Sequence, residues 1–189
     1  SDLSIKSAPL LKQWVRLLDD GTFQIYSGKV ELGQGISTAL VKVACEELGI
    51  HPDMVDLVAG HTANSPDEGY TAGSLSIEVG ATALRHACIR MRQLFALEAA
   101  KHLAVDVQDL VLDQGIFGTG HTKEKIGFHA LAKDINFELI RADTPIDSSS
   151  DVKKVVRLPE EAFRRFDLKG KFTGPGFVHD MVRDRMLHA

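Results

Sequence analysis

Two polar, glycine-rich loops contain the residues best suited to bind a ligand. The first reads Gly28-Lys29-Val30-Glu31-Leu32-Gly33-Gln34-Gly35, and a helical pattern begins directly after it. Glycines at such a turn let a ligand approach the backbone, and the N–H groups and dipole at a helix start favour an anion. Gln34 adds a neutral side chain that both donates and accepts hydrogen bonds. The loop therefore predicts an anion site, although a tight glycine-rich turn is the simpler interpretation of this pattern alone.

Two familiar phosphate-binding motifs are excluded at the first loop. A P-loop requires G-x-x-x-x-G-K-[ST], but Gln34 and Gly35 occupy the positions of the lysine and the hydroxyl residue. A dinucleotide-binding fingerprint requires a third glycine, and Thr38 stands at that position. Nucleotide hydrolysis is therefore not supported.

The second loop opens a second helical pattern with Thr71-Ala72-Gly73-Ser74-Leu75-Ser76. Its hydroxyl and N–H donors suit a phosphate or a polar heterocycle. Ordinary N-capping by Thr71 or Ser74 is the alternative interpretation, and it is the simpler one for this loop by itself. If both helices start at the same edge of a sheet, the two loops together would bind an extended phosphorylated ligand.

Other candidates for chemistry are weak. The eight histidines show neither HxxxH nor HExxH spacing, so we expect surface or capping roles for them. Cys45 and Cys88 belong to no CxxC pair and are expected to be buried free thiols. Asp67 and Glu68 are adjacent, which does not suit a separated acid and base. We therefore predict no protein ligand for a metal and no catalytic residue in this chain.

The elements that position these loops follow from apolar periodicity. Short apolar runs at 14–18 and 22–26 flank Asp19-Asp20-Gly21, and Asp-Gly is a strong hairpin signal. A helix is predicted from Ile36 to a stop at Gly49, followed by a strand over 54–59. A long helical pattern runs from Thr71 to about Leu103, and its first half is rich in small residues.

The remaining segments complete an α+β pattern. A second hairpin is predicted around Asp113-Gln114-Gly115, and a short helix over 127–134. The stretch 141–154 is polar and is interpreted as a linker or loop. The order hairpin, helix, strand, helix, hairpin predicts a two-layer domain in which two helices cover one face of a mixed β-sheet.

Composition limits the function classes. The chain has 189 residues, 44% of them hydrophobic, a net charge of -4 and a pI near 6.0. These values favour a globular domain and give no electrostatic reason to expect nucleic acid. The basic residues near the end alternate with acidic ones, which is typical of a solvated face; they are Lys153, Lys154, Arg157, Arg164 and Arg165.

The sequence also lacks the signals of a membrane protein. No apolar run approaches the ~20 residues of a membrane span, and the first residues do not form a signal peptide. The first residue is a serine, so we expect a chain from which any preceding segment is missing. Cytoplasm and periplasm stay open as locations, with the cytoplasm favoured.

The two loops resemble those of a known family. Gly33-Gln34-Gly35 with its flanks resembles the Gly-Gln-Gly cofactor loop of the xanthine dehydrogenase and aldehyde oxidase family, and residues 64–76 resemble its second cofactor loop. Residues 166–174, 177–181 and 186–189 resemble the entry to the family's hammerhead domain. The branch it resembles most is the molybdenum subunit of isoquinoline 1-oxidoreductase and nicotinate dehydrogenase type.

This resemblance implies a cofactor and a reaction. The cofactor is molybdopterin, usually as its cytosine dinucleotide, whose own dithiolene holds the molybdenum. The family hydroxylates an aldehyde or an N-heterocycle and passes electrons to an iron–sulfur subunit. Gly33, Gln34 and Gly35 would line the molybdopterin and its phosphate. Ser74 and Ser76 would bind the pterin and phosphate region, with Ala72 and Gly73 close by.

The resemblance also implies how the chain is organised. Residues 1–140 would form part of the molybdopterin-binding domain, 141–157 a linker, and 158–189 the truncated start of a hammerhead-like domain. The family's catalytic glutamate lies in a Gly-Glu motif, which this sequence lacks. We therefore expect part of a larger subunit, inactive alone and prone to self-association through uncovered apolar surface. The alternative is a stand-alone binding or assembly module that keeps the fold without catalysis.

Overall fold

The computed structural model describes residues 3–29, 35–60, 66, 80–147 and 151–155. Within these ranges the helices are α1 (Leu3–Ser7), α2 (Ile36–Leu48), α3 (Thr82–Leu103) and α4 (Phe128–Leu131). The strands are β1 (Val15–Leu17), β2 (Phe23–Ser27), β3 (Val55–Ala59), β4 (Leu110–Asp113), β5 (Ile116–Thr119), β6 (Lys125–Gly127) and β7 (Lys153–Val155). The helices in these ranges are too short or too polar to cross a lipid bilayer.

The first sheet has the order β1-β2-β3. β1 and β2 are antiparallel and confirm the first predicted hairpin, whose turn contains Gly21 at a φ of 87°. β3 pairs in parallel with β2, since α2 carries the chain back across the sheet between them. A mixed sheet is what the sequence predicted.

The second sheet has the order β6-β5-β4-β7. β4 and β5 confirm the second predicted hairpin, and its two turn residues, Gln114 and Gly115, both have positive φ. β7 pairs in parallel with β4, so the interpretation of 141–154 as a loop is wrong at its end. No local signal marks β7, because it has only three residues and its partner β4 lies about forty positions earlier in the chain. The α+β fold is confirmed, with its strands divided between two mixed sheets.

α2 packs one apolar stripe into the core and ends at a glycine. Its buried face includes Ile36, Leu40 and Leu48, spaced as a helix requires. Gly49 has a φ of 65°, and its N–H donates to the Cys45 carbonyl at 2.9 Å. A Cβ at Gly49 would lie 3.1 Å from the Leu112 side chain, which would then have to shift slightly. The predicted helix stop is thus confirmed.

α3 lies against α2, and much of its surface is buried. Small residues are among its buried positions: Ala83, Ala87 and Ala96 are almost fully buried. The predicted end near Leu103 is confirmed, and Gly80 and Ala81 precede α3 in a wider π-type turn. The predicted beginning at Thr71 lies outside the described residues.

A cluster of four phenylalanines joins the two sheets. Phe128 of α4 lies at its centre, with ring centroids 5.1 Å from Phe23 of β2, 4.6 Å from Phe95 of α3 and 5.4 Å from Phe117 of β5. All three pairs are edge-to-face, the preferred geometry of aromatic pairs. Both sheets and both long helices therefore share one core.

A buried ion cluster fixes α2 against α3 and β7. Its centre is the Glu47 carboxylate, whose side chain is 6% exposed. Arg92 Nη1 and Lys154 Nζ donate to Glu47 Oε2 at 2.8 and 2.9 Å, and Arg85 Nε donates to Oε1 at 2.8 Å. Arg92 Nη2 also donates to Asp151 at 2.7 Å. The prediction that Lys154 belongs to a solvated face is wrong, because its partner lies on α2.

The cluster sets the charge state of Glu47. Burial by itself raises the pKa of a carboxyl group, but hydrogen bonds from Lys154 and Arg92 outweigh it here. Together with the Lys154 charge and the Arg85 hydrogen bond, they lower the pKa of Glu47 from 4.5 to about 2. Glu47 is therefore ionised in the folded protein at every physiological pH.

We expect Arg92→Met to destabilise the fold by about 3–5 kcal/mol, because it removes a cationic partner from the buried Glu47 carboxylate. Lys42→Met is the matched control, since Lys42 lies 3.9 Å from Glu46 with both side chains about half exposed. Its cost should stay below about 1 kcal/mol. Urea denaturation measures both values. Equal losses would show that the buried pairing is worth no more than a surface ion pair.

We also expect acid to remove the contribution of Glu47 within a defined pH window. Its folded pKa is lower than its unfolded one, so its stabilisation is complete above pH ~4.5 and lost as the pH falls towards about 2. The shift corresponds to roughly 3 kcal/mol. Unfolding free energies between pH 2 and 6 measure it, and Glu47→Gln should show a smaller slope than the wild type. The same slope in both proteins would contradict the assignment.

Candidate functional site

The two loops leave the first sheet at the same edge. β2 and β3 are parallel neighbours, and their last paired residues are Ser27 and Ala59. The N–H of Gly60 donates to the Ser27 carbonyl at 2.9 Å, so the chains still touch where both loops begin. In open sheets, ligands bind at the carboxyl ends of parallel strands. This edge is therefore the place at which the chain can form a ligand site.

Gly35 is the predicted site residue that the structure describes. The others, which lie outside the described residues, are Gly33, Gln34, Ala72, Gly73, Ser74 and Ser76. The structure thus shows that α2 begins directly after Gly35 and that the second loop follows the end of β3 at Ala59. The roles of these residues in binding stay a prediction.

Gly35 has the backbone geometry of a glycine-specific position. Its φ of 82° and ψ of 21° are left-handed, a region that costs other residues roughly 1–2 kcal/mol. Its carbonyl accepts from the Ala39 N–H at 3.2 Å and so opens the first turn of α2. Gly35 contributes no capping side chain, and an anion near this turn would interact favourably with the helix start.

Lys29 is a residue of this edge to which the sequence analysis gave no separate role. Its side chain is 2% exposed, and its N–H donates to Ser27 Oγ at 3.1 Å. A lysine is almost never this buried without a partner, and Lys29 does take part in a further interaction. A cation directly after Gly28, in a loop of glycines, was the available signal.

The two thiols are structural. Cys45 and Cys88 are free and buried, as predicted. Burial raises the pKa of Cys45 to about 12 and that of Cys88 further, with Glu46 and Glu47 respectively adding to it. Both thiols are therefore protonated at neutral pH.

A family model matches most of the chain. It is the molybdopterin cofactor-binding domain, and it covers residues 5–164. The chain belongs to this family. Together with the relatives described next, the match confirms the predicted likeness to xanthine dehydrogenase and aldehyde oxidase.

Curated relatives and a solved structure agree with the family. A nicotinate dehydrogenase subunit of Pseudomonas putida is 33% identical over 182 residues, covering 94% of this chain and 15% of that protein. Aldehyde oxidase 4 of Rattus norvegicus is 36% identical over 74 residues, covering 39% of this chain and 6% of that protein. Reconstituted CO dehydrogenase from Oligotropha carboxidovorans has a TM-score of 0.57 and 27% identity over 62% of this chain and 15% of that chain.

The described residues fit the cofactor that the family name implies. A molybdopterin carries a phosphate, and Gly35 begins α2 without a side chain that would block a phosphate from its first turn. Because β2 and β3 end next to each other, the loops that follow them start close enough for both to contact a single extended molecule. The chain spans a small part of its relatives, so it accounts for only part of any site that they contain.

Proposed function

We propose that this chain supplies one half of the molybdopterin site in the molybdenum subunit of a hydroxylase. The observation that carries the proposal is the parallel pairing of β2 with β3, which sends both glycine-rich loops out at one edge. The substrate class is an aldehyde or an N-heterocycle, and the cofactor is the cytosine dinucleotide form. When bound, the cofactor supplies the redox chemistry, and the protein binds and orients it.

The proposed binding residues divide between the loops. Gly33, Gln34 and Gly35 line the pterin and its phosphate, where the glycines admit the ligand and Gln34 hydrogen-bonds to it. Ser74 and Ser76 donate hydroxyl hydrogen bonds to the same molecule, next to Ala72 and Gly73. A phosphate accepts from both kinds of donor, and this complementarity supports the assignment.

The proposed partners are the rest of the molybdenum subunit and an iron–sulfur subunit. The relative from Pseudomonas putida is named as a subunit, and the chain covers 15% of it. A half-site needs a second protein surface to enclose the cofactor, and the remaining length of the relative is sufficient to provide one. A small-molecule substrate would then bind between these parts.

Cofactor content tests the binding site. We expect Gly35→Val in the full-length protein to lose most of its molybdenum and pterin, because a β-branched side chain strains a φ of 82° and blocks the ligand. Gln34→Ala should lose less, since one neutral hydrogen bond is worth roughly 0.5–1.5 kcal/mol. Gly120→Val is the matched control, because a Cβ there meets nothing within 4 Å. Normal cofactor occupancy in Gly35→Val would show that the loop is only a turn.

Activity tests the half-site assignment. We expect the isolated 189-residue chain to hydroxylate neither aldehydes nor N-heterocycles, because its sequence lacks the Gly-Glu motif that carries the base in this family. The full-length protein should be active under the same conditions with the same cofactor. Turnover by the purified, cofactor-supplied chain would contradict the proposal.

A further inference from the structure

Three side chains of types that can bind a metal come together at the C-terminal end of α3. Glu98, His102 and Asp134 each bring one ligand atom to within 4.8 Å of the other two. His102 Nε2 lies 2.9 Å from Asp134 Oδ2. We propose that these three side chains bind a divalent transition-metal ion of the zinc class.

The geometry comes from two elements. Glu98 and His102 are four residues apart on α3, which places the two side chains one turn apart on the same face of the helix. Asp134 ends the 3-10 turn Ala132–Asp134 that follows α4. Metal–ligand bonds of about 2.0–2.2 Å place neighbouring ligand atoms about 3.4 Å apart in a tetrahedral site. Small side-chain rotations are therefore sufficient to close the site around an ion.

The segments that carry the ligands are held together by independent contacts. Phe95, one turn before Glu98, packs against Phe128 at 4.6 Å between ring centroids. Phe95 also lies 5.6 Å from Phe137, three residues after Asp134. These rings fix α3 against both sides of the Asp134 turn. An ion would thus meet ligands on a rigid frame, which lowers the cost of ordering them.

The ligand chemistry selects the ion. One imidazole and two carboxylates suit zinc and its neighbours, whereas Mg²⁺ and Ca²⁺ prefer ligand sets made of oxygen atoms. Three protein ligands leave a fourth position for water, as in open zinc sites. The two carboxylates supply the negative charge that a divalent cation neutralises, and the Glu98 side chain is only 17% exposed.

Two side-chain contacts compete with the metal. His102 pairs with Asp134, and Lys101 Nζ lies 2.7 Å from Glu98. Both pairs are partly exposed, and metal binding exchanges them for three coordination bonds. Such binding needs the His102 ring in its neutral form. The metal would tie the last turn of α3 to the Asp134 turn.

The test is zinc binding by the full-length protein after exhaustive dialysis against a chelator. Calorimetric titration with Zn²⁺ and metal analysis give the number of ions and the affinity. We expect His102→Gln and Asp134→Asn each to lose one zinc per chain or to weaken zinc binding by at least about tenfold. Even residues that only support a metal ligand typically cost about tenfold in metal affinity when they are replaced. His121→Gln, at an exposed histidine, should bind zinc as the wild type does. Mg²⁺ should not compete.

A further variant keeps the test independent of any folding defect. Lys101→Met removes the ammonium group that occupies Glu98, so it should tighten zinc binding while leaving the three ligands in place. Melting temperatures of the metal-free proteins verify that the variants are folded. If His102→Gln, Asp134→Asn and Lys101→Met all bind zinc with the stoichiometry and affinity of the wild type, the three side chains form surface contacts only and the proposal is wrong.

Discussion

The arrangement of the helices depends on the ion cluster around the buried carboxylate of Glu47. A buried charge costs several kcal/mol unless cations and hydrogen bonds surround it. Its partners come from two elements: Arg85 and Arg92 from α3, and Lys154 from β7. A shift of α2 along α3 would leave this carboxylate without partners, so the cluster fixes the position of α2. The start of α2 at Gly35 is fixed with it.

The points at which the two glycine-rich loops leave the sheet follow from strand topology. β2 and β3 run in parallel as neighbours, so their carboxyl ends meet at one edge. The antiparallel neighbour β1 ends at the opposite edge and contributes no loop there. Loops can then vary in sequence while the sheet keeps their starting points side by side, which is how rigid scaffolds usually carry binding residues.

The sequence predicted those features whose signals are local. Both hairpins have Asp-Gly or Gln-Gly turns, α2 has a glycine stop, and the glycine Gly35 directly precedes its first residue. β7 was missed because its partner β4 is remote in sequence and its three residues are too few to show a period. The separation into two sheets was missed for the same reason, since pairing between distant strands leaves no local pattern. The roles of the side chains in the second loop stay a prediction.

Charged residues show most clearly which features a sequence pattern does not predict. Lys154 has the pattern of a solvated residue because acidic residues lie near it in the chain, yet its carboxylate partner Glu47 is 107 positions away. The Glu98 and His102 pair has helical spacing that is visible locally, but the third ligand atom comes from Asp134 on another element. In both cases the fold converts an ordinary surface charge into part of a specific cluster. Charge therefore predicts solvation only where no distant segment returns to pair with it, and this depends on topology.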